Sequence, residues 1–560
     1  MQTLKDQKTF SFIEKLPQEI KYAVIVHPFT YKYPTYTLPP IHAEYAQAAL
    51  ISCGIETELF DMRFEEDIRE ALTKADLVCL LGHSEITPLF TLPSHHLIPE
   101  ILQFIPEETP VIAGGTGFLQ IEDSFAQYPK IDLVLIGSPE KSLLELVQGK
   151  DLMQIQNLVC RTDQDLFHTP KILNHLSEDI FPQRHLRKAK YHYHVGGNKV
   201  DLIKTAVGCN FKCKFCYEYG KDLEGNFTRW NGRSVESLIT EIEQSNADII
   251  GLVDDDFMTD IRKIDALCDA ILAKKIRKIF IGLARIDHIV RGGLPLLQKM
   301  ERAGFVYISM GIESLEESTL RLYKKGLTLK KIESGLALLN QTNILIQCTF
   351  LIGSPGEKEE HMMQILDFAR KWNVDSIGTN RIRIPESSPL FPLITDPMSK
   401  EVLPTYTMIQ GDELARIKYK IKFGQRTPTK LFLSLLKLSK HKGMVINPFL
   451  IFFRALHTFS QGTFVQSFFP SRIFLQAMLY LANRKWVFHC NRLLSHVLYP
   501  MIYWPNKLWE KIDSKIHIST FVLPKLFTFL NRKIYRKQRD SIQIDGYMQK
   551  LNTRKKEYVC

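Results

Sequence analysis

The chain has 560 residues, 45% of them hydrophobic and 24% charged, with 29 glycines and 27 prolines. Those proportions support packed cores and exclude a wholly disordered, collagen-like or disulfide-scaffold chain; at roughly 150 residues per domain the length suggests three or four domains. The net charge of +11 is unevenly spread: residues 401–560 hold 27 Lys+Arg against 8 Asp+Glu, or +19, which leaves 45 against 53, or −8, for residues 1–400.

Residues 1–12 contain no apolar stretch ending in a cleavage site, so the expectation is a cytoplasmic chain whose ten cysteines are thiols or ligands. After a tail at 1–20, residues 22–27 (YAVIVH) predict a buried parallel strand. Pro39 and Pro40 open a helix to residue 50, and 56–61 predict the next strand. Helix 67–74, strand 77–82, helix 97–104, strands 110–113 and 132–136 and helix 140–148 follow. This alternation over 21–150 implies an α/β, doubly wound parallel sheet, with its ligand beyond the carboxyl ends of the strands. Residues 151–198 show no sustained period and carry a charge cluster at 184–190, which predicts a linker packed between domains.

From 199 to 395 the alternation resumes. Strands are expected at 201–205, 248–253, 279–283, 307–311, 346–351 and 376–381, with helices at 234–245, 261–274, 293–303, 317–323, 330–341 and 359–372. Six βα steps predict a barrel or partial barrel that works at the carboxyl ends of its strands. Residues 396–560 change character to basic, aromatic-rich, mostly helical segments. Between Glu413 and Glu510 there is no acidic residue but there are 15 Lys+Arg, and the longest apolar run there, 444–453, is short of the ~20 residues a membrane span needs.

Cys209, Cys213 and Cys216 form C-x3-C-x2-C directly after the first barrel strand. Three thiolates in a short loop suit three irons of a 4Fe-4S cluster, with the fourth iron open. A structural zinc site is the alternative, but zinc usually takes four protein ligands and no second cysteine pair follows. The spacing, with aromatic Phe215 before the third cysteine, resembles the radical S-adenosylmethionine (SAM) superfamily. That resemblance implies that the open iron chelates SAM and that reductive cleavage yields a 5′-deoxyadenosyl radical; Tyr217 follows the same loop.

Further segments fit this resemblance. Asp254, Asp255 and Asp256 end the second strand, where the superfamily has an acidic motif near the SAM ammonium; an acidic helix N-terminus is the bland alternative. Glu313, in Met-Gly-Ile-Glu-Ser, resembles a segment near the ribose, or is a structural carboxylate at the rim. Gly353, Pro355 and Gly356 resemble a G-x-P-G-E turn whose glycines let backbone approach adenine, or simply make a tight turn. Arg285, after the third strand, would meet a carboxylate bidentately.

Residues 21–148 resemble the cobalamin-binding domain that precedes this barrel in a large subfamily. Pro40, Asp61, Gly114, Gly115 and Gly137 match its landmarks, small residues suiting a flat corrin ring. No D-x-H-x-x-G occurs, so no histidine ligand to cobalt is expected. Gly137-Ser138-Pro139-Glu140 replaces the usual G-E-G-E loop, and His83-Ser84-Glu85 follows the third strand; a lone His83 is more often solvated than a ligand. The resemblance implies a cobalamin-dependent enzyme that functionalises an unactivated carbon, with C-methylation the leading outcome. A cyclase or rearrangement enzyme of the tetrapyrrole-cyclase type, or a non-catalytic cobalamin and iron–sulfur sensor, are the alternatives. A reductant such as flavodoxin or ferredoxin is the implied partner.

The acid-free, aromatic-rich basic region suits the headgroup boundary of an anionic membrane, and hence a peripheral enzyme with a hydrophobic or membrane-derived substrate. A helical subdomain that caps the barrel is the competing reading. Nucleic acid is the least favoured partner, since RNA-module signatures are missing.

Overall fold

The computed structural model describes residues 10–425 except 30–35, 66, 83–96, 116–117, 119–120, 163–164, 173–175, 189–192, 196–197, 217–229 and 385–387. The expectations for Tyr217, His83 and the basic region beyond 425 lie outside the described residues.

The first sheet has seven strands. Tyr22–His27 lies between Glu56–Asp61 and Leu77–Leu81, and Val111–Gly114 and Leu133–Leu135 continue the parallel set. The parallel strands therefore run 2-1-3-4-5 in chain order, and the connections reverse between the first and third. Strand Tyr22–His27 shows why the fold is layered. Ala23 and Ile25 join one core with Ala43, Ala46 and Leu50 of helix Ile41–Ser52. Val24 and Val26 enter a second core with Leu72, Ile98 and Ile101 on the other face. An all-apolar strand of period two can fill both layers at once.

Residues in the expected linker do more than connect. Leu158–Arg161 and Leu166–His168 add two antiparallel strands to this sheet. They escape the sequence reading because three- and four-residue strands are too short to show a period.

The second sheet has six parallel strands in chain order: Asn198–Ile203, Ile249–Leu252, Ile279–Ala284, Phe305–Glu313, Leu345–Ile352 and Ser376–Arg381. The sixth does not pair with the first, so the sheet is an open, partial barrel. Helices Val235–Gln244, Ile261–Ala273, Ile286–Ala303, Leu329–Leu339 and Glu359–Lys371 cover its outer face and close one large apolar core. Ile286–Ala303 begins earlier than expected and is broken at Gly293, whose φ is 68°. Outside the first barrel strand run His194–Val195 and then Tyr36–Thr37, each antiparallel to the strand before it. The edge of the barrel sheet is thus completed by a strand from the N-terminal half.

From the 184–190 charge cluster, Arg184 and Arg187 reach into both halves. Arg187 pairs with Glu44 (2.6 Å) of helix Ile41–Ser52 and with Asp201 (2.7 Å) of the first barrel strand. Arg184 binds Asp201 and, at 2.7 Å, Glu241. Glu241 is fully buried and also accepts from Arg233 and from the Tyr45 hydroxyl. Buried charges persist only where each has a partner, and here three guanidiniums meet three carboxylates.

Candidate functional site

The cysteine loop leaves the first barrel strand through a short ribbon, Ala206–Gly208 paired with Trp230–Gly232. Gly208 has φ 77°, which turns the chain into the loop. Cys213 is buried, Cys209 and Cys216 are half-buried, and none of the three is in a disulfide. Among the described residues no three His, Cys, Asp or Glu side chains are gathered tightly enough to hold one metal ion. A zinc site would need sulfurs roughly 4 Å apart around a 2.3 Å bond length. Three cysteines give one thiolate to each of three irons of a 4Fe-4S cluster, whereas a closed structural zinc site takes a fourth protein ligand.

The loop is fixed from the far side of the barrel. Lys214 N donates to the Tyr323 carbonyl (2.9 Å), and Cys216 N donates to the Cys213 carbonyl (3.0 Å). The Phe215 ring packs on Tyr323 with centroids 5.0 Å apart, and Lys325 Nζ lies 5.6 Å from the same ring. Lys325 in turn pairs with Glu313 at 2.8 Å. Glu313 ends the fourth strand with φ 70°, and such a backbone in a non-glycine residue costs about 1–3 kcal/mol. Tyr323 and Lys325 have no sequence signal; the barrel curvature alone carries them to the loop.

The three aspartates separate. Asp254 is buried and accepts from Thr205 N (2.8 Å), Ala206 N (2.9 Å) and the Thr205 hydroxyl. Burial pushes its carboxyl up, against those hydrogen bonds. Asp256 is also buried: it contacts His288 Nδ1 at 2.5 Å and accepts from Arg285 N at 3.2 Å. Only Asp255 is exposed. Its charge, with that of Asp256, adds to the burial that pushes the Cys209 thiol up, which sets it beside the cysteine loop. Asp254 and Asp256 therefore hold the first and third strand ends in place, and Asp255 is the member that faces outward.

Arg285 does bind a carboxylate with two prongs, but it is that of Asp287, at 3.0 and 3.2 Å. The glycines of the Gly353–Gly356 turn also have an internal reason. A Cβ at Gly353 would lie 2.9 Å from the Ile409 carbonyl, and one at Gly356 2.7 Å from that of Thr405. With φ of 72° and 75°, both are shaped by the approach of residues 405–414. Pro355 is buried between them.

In the N-terminal sheet, Pro40 is buried at the start of helix Ile41–Ser52. Asp61 is buried and grips Arg63 at 2.7 Å and the Tyr193 hydroxyl at 3.0 Å. Burial alone would push its carboxyl up, but the Arg63 guanidinium outweighs that and holds it below the usual range. Asp61 is thus a brace. Gly114 ends the fourth parallel strand, where a Cβ would crowd Leu81 at 3.3 Å. Gly115 and Gly137 lie beyond strand ends with φ 95° and 72°, and a Cβ at Gly137 would meet nothing within 4 Å. The loop behind Gly137 is held by Lys204, one residue past the first barrel strand. Its ammonium pairs with Glu140 and reaches His42 Nδ1 at 3.2 Å and the Ser138 hydroxyl at 3.4 Å.

A partial six-stranded barrel with a three-cysteine loop on its first strand end, preceded by a 2-1-3-4-5 sheet, defines a class of enzyme. Residues 203–369 match the Radical SAM superfamily. Residues 203–369 are thus a radical SAM domain, the domain of enzymes that use a 4Fe-4S cluster and SAM. It is 24% identical over 364 residues to the anaerobic magnesium-protoporphyrin IX monomethyl ester cyclase of Synechocystis, covering 61% of this chain and 70% of that one. Against the curated cyclases of this kind the chain spans 57% to 70% of their length. Its fold is similar to the radical SAM methyltransferase TsrM of Kitasatospora setae, solved with cobalamin and a [4Fe-4S] cluster. The TM-score is 0.55 at 19% identity, over 67% of this chain and 78% of that one. The cobalamin-dependent radical enzyme OxsB gives a TM-score of 0.56 at 14% identity, over 88% of this chain and 80% of that one. No helix among the described residues is long and apolar enough to cross a membrane.

Proposed function

We propose that the protein is a cobalamin-dependent radical SAM enzyme that transfers a methyl group to an unactivated carbon of a hydrophobic substrate. When bound, the cluster and SAM supply a 5′-deoxyadenosyl radical for hydrogen abstraction, and methylcobalamin supplies the methyl group. Cys209, Cys213 and Cys216 would each hold one iron. Asp255, the exposed member of its triplet, would meet the SAM ammonium, and Glu313, Phe215 and the Gly353–Gly356 turn would line the nucleoside side.

The observation that carries the cobalamin reading is the junction at Lys204. The first barrel strand, which leads to the cysteines, ends on the Gly137–Glu140 loop of the N-terminal sheet. At Gly137 the backbone is left-handed and faces open space, which suits close approach of a flat ring. Anaerobic iron, sulfide and cobalt analysis of the purified protein tests it: cobalt near one per chain is expected, and iron with no cobalt bound even after cobalamin is added would overturn it. Cys213→Ala should abolish cluster assembly and SAM cleavage to 5′-deoxyadenosine; retention would refute the ligand assignment.

A cyclase of the tetrapyrrole type is the second reading, favoured by the similarity to the Synechocystis cyclase. For either reaction the basic segment 414–509 supports attachment to an anionic membrane, where a hydrophobic substrate resides. Sedimentation with anionic vesicles checks this, and full-length protein that remains in the supernatant would rule it out.

A further inference from the structure

Arg285 directly follows the third barrel strand and is 6% exposed. Its Nε and one terminal nitrogen, Nη2, are engaged by Asp287, and Nη2 also donates to the Lys325 carbonyl at 2.8 Å. The other terminal nitrogen, Nη1, donates towards Cys213 Sγ at 3.8 Å. The guanidinium lies over the Phe211 ring, with Cζ 3.4 Å from the ring centroid. Two of these contacts come from the cysteine loop itself. Asp287, Lys325 and Phe211 together freeze a side chain that is otherwise rich in rotamers, and they leave one donor aimed at a ligand sulfur.

We propose that Arg285 is a positioning residue whose N–H donates to the Cys213 thiolate and raises the reduction potential of the cluster, an inference that rests on the three-cysteine cluster assigned above. Reduction adds one electron, and the added negative charge spreads onto the cluster sulfurs and their thiolate ligands. A buried N–H donor at a thiolate stabilises that charge more than it stabilises the oxidised form, so the potential rises. Pairing with Asp287 offsets the net charge of the guanidinium but leaves the direction of the Nη1–H bond unchanged. The low local dielectric of a buried site strengthens the effect. A guanidinium held in this way serves the cluster and has no prong left for a ligand carboxylate.

The test is an anaerobic redox titration of the reconstituted full-length protein, with dithionite as the one-electron reductant and the reduced cluster followed by electron paramagnetic resonance. No SAM, cobalamin or substrate is needed. Arg285→Gln should lower the reduced-to-oxidised ratio at a fixed potential at least tenfold, a midpoint shift of 59 mV for one electron. Arg285→Lys, which keeps the charge without the aimed fork, should fall between. Asp287→Asn leaves the cysteine ligands and Arg285 in place and should move the midpoint the opposite way, because less of the positive charge is offset. Wild-type midpoints in iron-loaded Arg285→Gln overturn the proposal. If that variant fails to load iron, an unmoved midpoint in Asp287→Asn does so. Absence of any cluster signal in the wild-type protein would instead refute the ligand assignment itself.

Discussion

The Tyr323 hydroxyl donates to Ser354 Oγ at 2.6 Å, and Ser354 Oγ passes a 3.2 Å hydrogen bond on to the Leu351 carbonyl. The Tyr323 carbonyl also accepts from Lys214 N and its ring packs on Phe215, so one buried residue joins the turn after the fifth barrel strand to the cysteine loop after the first. The joint ties together the ends of two strands that do not pair with each other.

Tyr323→Phe keeps the ring and removes the hydroxyl. The loss should be about 1 kcal/mol in folding stability, the net worth of a buried hydrogen bond. The cysteine loop should be the part that loosens, so iron should leave the reconstituted variant faster under chelator challenge. Equal rates for variant and parent would show that the stacking on Phe215 suffices.

Lys204 is 2% exposed and pairs with Glu140 across the junction of the two halves. Lys204→Met leaves that carboxylate without its cation, and breaking a buried pair from one side costs roughly 3–5 kcal/mol. Lys204→Met with Glu140→Leu should recover a good part of it. A double-mutant cycle by denaturant unfolding should give a coupling of about 1–3 kcal/mol, and additivity of the two substitutions would disprove the coupling.

Burial pushes the Glu357 carboxyl up to about 7, against backbone hydrogen bonds from Ser354 and Gly353. Below that pH the folded protein holds a proton that the unfolded chain releases from about 4.5 upward. Stability therefore falls as pH rises from about 4.5 to 7, by roughly 3 kcal/mol at most. Glu357→Gln carries no titrating group and should flatten this dependence, gaining on the parent at pH 8 relative to pH 5. Parallel stability curves for the two proteins would contradict the burial account.

Gly356 and Gly54 are both left-handed, with φ of 75° and 81°, but only Gly356 faces a backbone atom, the Thr405 carbonyl at 2.7 Å from a would-be Cβ. Alanine at Gly54 should cost the left-handed penalty alone, about 1–2 kcal/mol. At Gly356 the clash adds about 1–3 kcal/mol. Thermal melts of the two variants compare them, and equal losses would mean that residues 405–414 move aside.

Most of the architecture is legible in the chain because it is periodic. All-apolar strands alternating with amphipathic helices determine a parallel sheet with helical cover, and strand Ser376–Arg381 falls where its pattern predicts. The cysteine spacing likewise names its chemistry, since a short loop with three thiolates has few other uses. What the chain does not display is which polar side chain meets which. Three adjacent aspartates look equivalent in sequence, yet Asp254 and Asp256 are consumed by backbone amides and His288, and only Asp255 is exposed. Arg285 reads as a carboxylate binder, and the carboxylate it finds, Asp287, is two residues away. Tyr323, Lys325 and Lys204 carry no motif and reach the site only because the open barrel sheet curves and docks on the first sheet. Periodicity and ligand spacing are local and survive in one dimension. The partners of buried polar groups are fixed by which surfaces lose water together, and that is settled only by the packing of elements distant in sequence.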